Sequence, residues 1–506
     1  MKNALISTVW LVLFLALSAA TRCSNYRDVF LNGQIYFVDA DCYSRMTRVR
    51  TVIEHPGVIL RHHDFENYPT GTTPHTTAPF DYLIAAIAWG LKPFSKNHVD
   101  LAGAIVSPIL GLFTTAFLWI WSRFLVHRFR KVMMFLVAMS PVLVHGTILG
   151  RPDHQSLLIF LMTVALGAEL AIASAPAVGW GIISGIAWGL GLWVSLYEPL
   201  ILMAALFLTK LFFFRPKLFV RERVPGYLLL LAVLGIAYAL EGWRLTVPDA
   251  TTMHYFQNWK RSIGELSSIS IISPLLFRWV GFGLIVAPIL LAARLRDAKR
   301  SILLLVLLVV TFALTLYQAR WGYFFVLVFS MSLPWQLSLF KRQWLIWTIF
   351  ILSLWPVLRE WDDMLHPDAA LKNEERADKI LSRDAAQHVT GAMLAPWWFS
   401  PQLVYWSGQP AVAGSSHESL PGIVDSARFY LTEDPAEALA ILKNRRVKEV
   451  VAYDSNRLVQ TSATVLGRVV PANPLAKILD ERPHSAPPFV QIVYANPAFK
   501  IFRVIE

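Results

Sequence analysis

Five short polar stretches interrupt an otherwise apolar chain, and each carries a group able to do chemistry. "VDADCYSRMTRV" holds Asp39 and Asp41, and "LGRPDHQSL" holds Asp153, His154 and Gln155. "RSIGELSS" holds Glu265, "YQARWGY" holds Arg320, and "APWWFSP" holds Trp397 and Trp398. Carboxylates brought together from separate segments can bind one hard divalent cation, which prefers oxygen ligands. A guanidinium beside them can hold a phosphate through two parallel hydrogen bonds. Taken singly, each group has a plainer role. Acids next to an apolar span are usually solvated, and arginine at a helix end usually snorkels. Their common placement at the edges of apolar runs gives them joint meaning.

Those runs set the positions. The chain has 506 residues, 55% hydrophobic and 16% charged, too apolar for a soluble enzyme of this length. Spans are expected at about 4–21, 99–124, 132–149, 156–173, 178–196, 199–214, 226–241, 274–293, 301–317, 321–340 and 344–358, about eleven in all. The character changes after residue 359, where charges and short alternating stretches begin. The expected organisation is a polytopic helical membrane domain over 1–358, with a large first loop at 22–98, and a soluble α/β domain over 359–506. The opening segment resembles a signal peptide and is read as an uncleaved first span.

The formal net charge of +12 comes largely from short basic loops at 127–131, 215–223, 294–300 and 341–342. With this span count all four fall on one face, which marks it as cytoplasmic and points to lipid headgroups, with no nucleic-acid partner. The polar stretches then share the opposite face, periplasmic if the membrane is a bacterial inner membrane. Metal and arginine beside a bilayer suit chemistry on a lipid-linked pyrophosphate, where charge develops on the leaving group. Gly181, Gly185 and Gly189 form a stripe suited to close helix packing. Cys23 and Cys42 could pair or remain free thiols.

At these residues the sequence resembles the catalytic subunit of oligosaccharyltransferase in its single-chain bacterial and archaeal forms, within the GT-C class of membrane glycosyltransferases. "DADCYSRMTRV" resembles the stretch around that family's catalytic Asp, which points to Asp41. "NYPTGTTPHTTAPFDYLIA" is similar to the end of its first loop, and "GRPDHQSL" to its second acidic motif, hence Asp153. "SIGE" is similar to the element whose Glu contacts metal or acceptor, hence Glu265. "QARWGYFF" is similar to the span whose Arg contacts the donor, hence Arg320. The resemblance implies an inverting transferase using Mg2+ or Mn2+, a polyprenyl-linked sugar donor and a protein or glycan acceptor. Asp41, Asp153 and Gln155 would bind the metal. Gln155 departs from the family's usual charged or imidazole ligand; an amide oxygen can bind a hard cation but brings no charge.

"GAMLAPWWFSPQLVYWSGQPAVAG" reads as strand, turn, helix, strand, and 434–454 as helix then strand, so the C-terminal domain is α/β. The family's W-W-D-Y-G, which reads an acceptor hydroxyl, stands here as "WWFSP", with Phe399 at the Asp position. The paired tryptophans remain as expected acceptor contacts. Glu198 and Glu169 are read as structural, and "RHHDFEN" as no second metal site. Rival readings are a GT-C transferase acting on a lipid or surface glycan from a monophosphate donor, a degenerate homologue without activity, and a transporter. A transporter tends to bury its ionisable groups near mid-membrane.

Overall fold

The computed structural model describes residues 2–125, 129–213, 220–242, 249–293 and 299–505. The chain divides into two compact units: Met1–Tyr26, Gly103–Gly242 and Ser267–Pro367 form the first, and Arg27–Ala102, Trp243–Leu266 and Asp368–Glu506 the second. Three of the basic loops, 127–131, 215–223 and 294–300, lie wholly or partly outside the described residues. Cys23 and Cys42 are both free thiols.

The first unit is helical. Four of the helices described are long and apolar enough to cross a membrane: Leu5–Arg22, His98–Phe124, His154–Ser174 and Arg221–Glu241. A fifth span forms if Pro274–Val280 and Gly283–Ala293, bent by 67°, count as one. Every expected span from 4–21 to 344–358 contains helix, but several are interrupted. At Ser140 the chain turns extended before Pro141, which cannot donate the next helical hydrogen bond. Gly281 adopts φ +79°, and a Cβ there would lie 2.3 Å from the Ser353 carbonyl, so only glycine fits. Pairs of shorter helices, such as Arg130–Met139 with Pro141–His145, therefore cover what the sequence presents as continuous runs.

His154–Ser174 is buried on nearly all sides, as expected of a helix apolar around its whole circumference. Trp121 Nε1 donates to Gly167 O at 2.7 Å, a close approach that glycine permits. Val178–Val194 packs backbone to backbone on Val224–Glu241. A Cβ at Gly185 would lie 2.0 Å from the Gly226 carbonyl, and one at Gly181 2.2 Å from that of Glu222. The glycine stripe has the packing role its spacing suggests.

The second unit is α/β. Its four-stranded sheet runs Met393–Leu394, Glu449–Tyr453, Phe499–Val504, Val490–Ala495 in spatial order. The first pair is parallel and the other two antiparallel. The closing stretch "PPFVQIVYANPAFKIFRVIE" (487–506), whose alternation reads as a hairpin, does pair as one. First-loop residues join this unit. Ala411 N donates to Phe65 O at 3.0 Å, Tyr68 N to Ala411 O at 3.1 Å, and Arg445 Nη1 to Asn67 Oδ1 at 3.0 Å. The helix Ala40–Glu54 is tied to Ala78–Leu91 by Arg45 and Arg48, both on the buried Asp81 at 2.5 and 2.6 Å.

Candidate active site

The polar knot at 149–156 is a rigid turn within the first unit. Gly150 takes φ +75°, which frees its N–H to donate to Ala104 O at 2.9 Å. Leu149 is held on both sides, its N–H on Arg22 O (2.8 Å) and its carbonyl on Asn25 (2.9 Å). The Arg151 carbonyl accepts from Ser107 Oγ and from Asp153 N. Pro152 precedes Asp153, which caps the helix His154–Ser174 by accepting from Gln155 N at 3.2 Å. The turn therefore fixes the direction of residues 153, 154 and 155.

Arg320 meets this turn. It sits in the short 3-10 turn Ala319–Trp321, placed where Ala319 N donates to Ser267 O at 2.8 Å. Its Nε lies 2.9 Å from Glu198 Oε1, and its Nη2 donates to His154 Nε2 at 3.4 Å. The Gln155 amide oxygen, turned toward Arg320, accepts from Nε at 2.8 Å and also from Nη2. Glu198 is nearly inaccessible and accepts from Ser195 Oγ at 2.6 Å. His154 Nδ1 lies 2.9 Å from Asp153 Oδ1, and Arg151 Nη2 lies 3.4 Å from Asp153 Oδ2. Arg151 in turn donates to His145 Nε2 at 2.9 Å, and the other ring nitrogen of His145 bonds the Tyr323 hydroxyl at 3.0 Å. Burial alone would raise the Asp153 carboxyl. The His154 imidazole, with the Arg151 and Arg320 guanidiniums behind it, outweighs burial and holds it well below the usual carboxylate range. Asp153 is thus an anion at neutral pH.

Asp153, Gln155 and Arg320, singled out by sequence, belong to one hydrogen-bonded cluster. Two members of it were read otherwise or not at all. Glu198, read as structural, is the ion partner of Arg320, and Arg151 braces Asp153. Gln155, expected as an amide ligand to metal, has its oxygen engaged by Arg320.

The remaining residues of interest lie in the second unit. Asp41 is exposed in the first turn of Ala40–Glu54, whose cap is Asp39 accepting from Cys42 N at 3.0 Å. Glu265 is half-buried in the short turn Gly264–Leu266. Trp397 and Trp398 stand edge to face at 5.7 Å, against Trp259 and the Arg457 guanidinium. They line a small cavity with Ser426, Tyr430, Thr461 and Ser462. Both indole N–H groups and the Ser426 hydroxyl are buried without a hydrogen-bond partner among the described residues. Phe399 turns into a separate core, 4.7 Å from Tyr453 and 5.1 Å from Phe499. Ser400 is fully buried, its hydroxyl donating to the Ala395 and Pro396 carbonyls.

One group in this unit has the makings of a metal site that sequence spacing does not show. His75, His417 and Glu418 offer ligand atoms within 4.8 Å of one another. His75 comes from the first loop and His417 from the C-terminal segment, so no motif joins them.

Comparison with known proteins follows the same lines. No protein-family model matches the chain. Over 170 residues it is 27% identical to the dolichyl-phosphooligosaccharide-protein glycotransferase 1 of Archaeoglobus fulgidus. That match covers 33% of this chain and 27% of the relative's own length. The crystal structure of an Archaeoglobus fulgidus oligosaccharyltransferase in complex with Zn and sulfate superposes with a TM-score of 0.72 at 15% identity, over 96% of this chain and 78% of that one. The chain has the oligosaccharyltransferase fold. The structure of ArnT from Cupriavidus metallidurans bound to undecaprenyl phosphate also matches, with a TM-score of 0.51 at 12% identity over 98% of both chains. The fold is accordingly the one these solved structures share, a helical membrane domain with a C-terminal α/β segment, as the motif resemblance implied.

Proposed function

We propose that this chain transfers a glycan from a polyprenyl-(pyro)phosphate donor to an acceptor, a protein, at the outer face of the membrane. The observation that carries the proposal is Arg320, held by Glu198, Gln155 and His154 at the mouth of the helix that Asp153 caps. A guanidinium fixed by neighbours and still partly exposed is prepared to bind phosphate, because little is lost in ordering it. In the reaction the acceptor atom attacks the anomeric carbon opposite the phosphate and releases its proton to solvent, while the carbon–oxygen bond breaks and its electron pair goes to the phosphate oxygen. Arg320 stabilises the charge that builds there. Glu265 orients the acceptor, with Trp397 and Trp398 as further acceptor contacts.

Asp153 on the first unit and Asp41 on the second are each proposed as carboxylates for a divalent cation, Mg2+ or Mn2+. The fit on the Asp153 side is chemical. It is a hard oxygen donor held ionised, and its Oδ2 lies 3.4 Å from Arg151 Nη2. Such a cation supplies positive charge toward the leaving phosphate. The inner membrane with a periplasmic active face is proposed from loop charges, and reporter fusions after residues 130 and 360 should report opposite compartments.

The direct test is glycosylation of a labelled acceptor by purified protein supplied with a lipid-linked glycan. Arg320→Lys keeps the charge and loses the planar fork. It is expected to raise the KM for the donor and leave that for the acceptor unchanged. No transfer from any polyprenyl-linked donor by the wild-type protein, or an effect confined to the acceptor, overturns the assignment. Transfer only from a monophosphate donor to lipid would favour the ArnT-like reading, which the match over both whole chains supports.

A further inference from the structure

The opposite end of the 154–174 helix holds a second ionic cluster. Glu169 lies 16 residues beyond Asp153, roughly 24 Å along the helix axis. Its carboxylate accepts from Ser184 Oγ at 2.6 Å, from Arg223 Nη1 at 2.9 and 3.1 Å, and from Lys210 Nζ. Glu169, Lys210 and Arg223 are 5%, 8% and 6% exposed. One carboxylate therefore faces two cations in a buried place. The Arg223 Nε is also buried with no hydrogen-bond partner among the described residues. A surplus charge and an unsatisfied donor away from water are both costly unless a counter-ion completes them.

These three side chains line a cavity of about 300 Å3 within the first unit. Its walls are apolar, formed by Ile172, Trp188, Leu200, Met203, Phe207 and Leu230. The glycine stripe makes its floor, since Gly181, Gly185 and Gly226 bring Val178–Val194 against Val224–Glu241 without intervening side chains. Leu200 and Phe207 are 46% and 49% exposed, so the cavity opens on the outer surface of the helices, where hydrocarbon would lie. A cavity with apolar walls open to the bilayer and one unmatched cation in its lining suits an amphiphile with a single negative charge.

We propose that this cavity binds an anionic phospholipid, its phosphodiester on Arg223 Nε and Lys210 and an acyl chain along the apolar walls. Charge complementarity selects this occupant: one phosphodiester balances the one surplus cation, whereas a zwitterionic headgroup brings an ammonium with its phosphodiester and restores the excess. The site lies at the far end of the helix from Arg320 and is separate from the transfer reaction. With the orientation read from loop charges it faces the cytoplasmic leaflet, where basic pockets between spans take lipid phosphates.

Native mass spectrometry of the detergent-solubilised protein tests it without turnover. Titration with phosphatidylglycerol is expected to give at least tenfold tighter retention than phosphatidylcholine of the same chains. Arg223→Gln should reduce that preference to near unity. Ala204→Trp fills the cavity from an exposed position without touching the charges, and should weaken phosphatidylglycerol binding at least tenfold even if Arg223→Gln fails to accumulate. Equal retention of the two lipids by the wild type overturns the proposal, as does unchanged phosphatidylglycerol binding in Ala204→Trp. Displacement of the lipid by excess inorganic phosphate alone would also overturn it, by assigning the cluster to free anions.

Discussion

Gln155→Glu separates two roles for the residue where the chain departs from the acidic motif it resembles. The Gln155 oxygen accepts from Arg320 Nε at 2.8 Å and from Nη2, and the side chain is almost completely buried. An amide oxygen offers two lone pairs, and both are directed at one guanidinium. A carboxylate at this position would keep that geometry and add a full charge. A phosphate held on the other edge of Arg320 would sit about 7 Å from it, and at an effective dielectric of about 20 the repulsion is roughly 2.4 kcal/mol. That is about fiftyfold in donor affinity. The expected result is a donor KM raised at least tenfold, with the cation concentration for half-maximal activity unchanged. The assay is transfer to a labelled acceptor with donor and cation titrated separately. A lower cation requirement at unchanged donor KM would refute the reasoning and make residue 155 a metal ligand.

Three further outcomes are expected. Asp153→Asn retains the helix cap, since Asn caps as well as Asp, so the protein should accumulate while turnover falls by about a hundredfold or more; Asp41→Asn should do the same, and near-normal activity in either, or full activity in chelator, removes that carboxylate from the reaction. Burial raises Glu66 in the second unit from 4.5 to about 7, so the folded state holds a proton that the unfolded chain releases; stability is full below about pH 4.5, falls by about 3 kcal/mol as pH rises to about 7, and is flat above. Glu66→Gln should abolish that slope and raise the melting temperature above pH 7, and an unchanged pH profile in thermal unfolding counts against it. A site selecting Asn-x-Ser/Thr needs an acceptor for the hydroxyl proton, and neither Phe399, packed on Tyr453 and Phe499, nor Ser400, fully buried beneath the Ala395 and Pro396 carbonyls, offers one to a bound peptide; a peptide library varied at the third position should therefore show less than tenfold preference for Ser or Thr over Ala.

Much of this was legible because it depends on local chemistry. Gly150 and Pro152 around Asp153 already describe a tight turn between two apolar runs. The alternation of 487–506 is enough for a hairpin, and glycines four apart for close helix packing. What the sequence could not show is pairing across long separations. Glu198 and Arg320 are 122 residues apart, and nothing in "SLYEPL" distinguishes an ion partner from a solvated acid. His75 and His417 belong to different segments for the same reason. Span length was also illegible, because a proline or a positive-φ glycine breaks a helix without lowering the apolar content of the run, as at Pro141 and Gly281.

The two ends of the 154–174 helix show why charge has to be counted over contacts and not along the chain. At its start Asp153 and Glu198 meet Arg151 and Arg320, two carboxylates against two guanidiniums, with the His154 imidazole beside them. At its other end Glu169 meets Lys210 and Arg223, one against two. The +12 of the whole chain gives no hint of either balance. A balanced cluster gains little from a lone anion, because a phosphate on the other edge of Arg320 leaves the cluster with surplus negative charge. It can accept a cation and a phosphate together, since the pair adds little net charge. An unbalanced cluster behaves oppositely and takes a single anion to completion. The first arrangement suits a substrate that arrives, reacts and leaves with its counter-ion, and the second suits a ligand that stays.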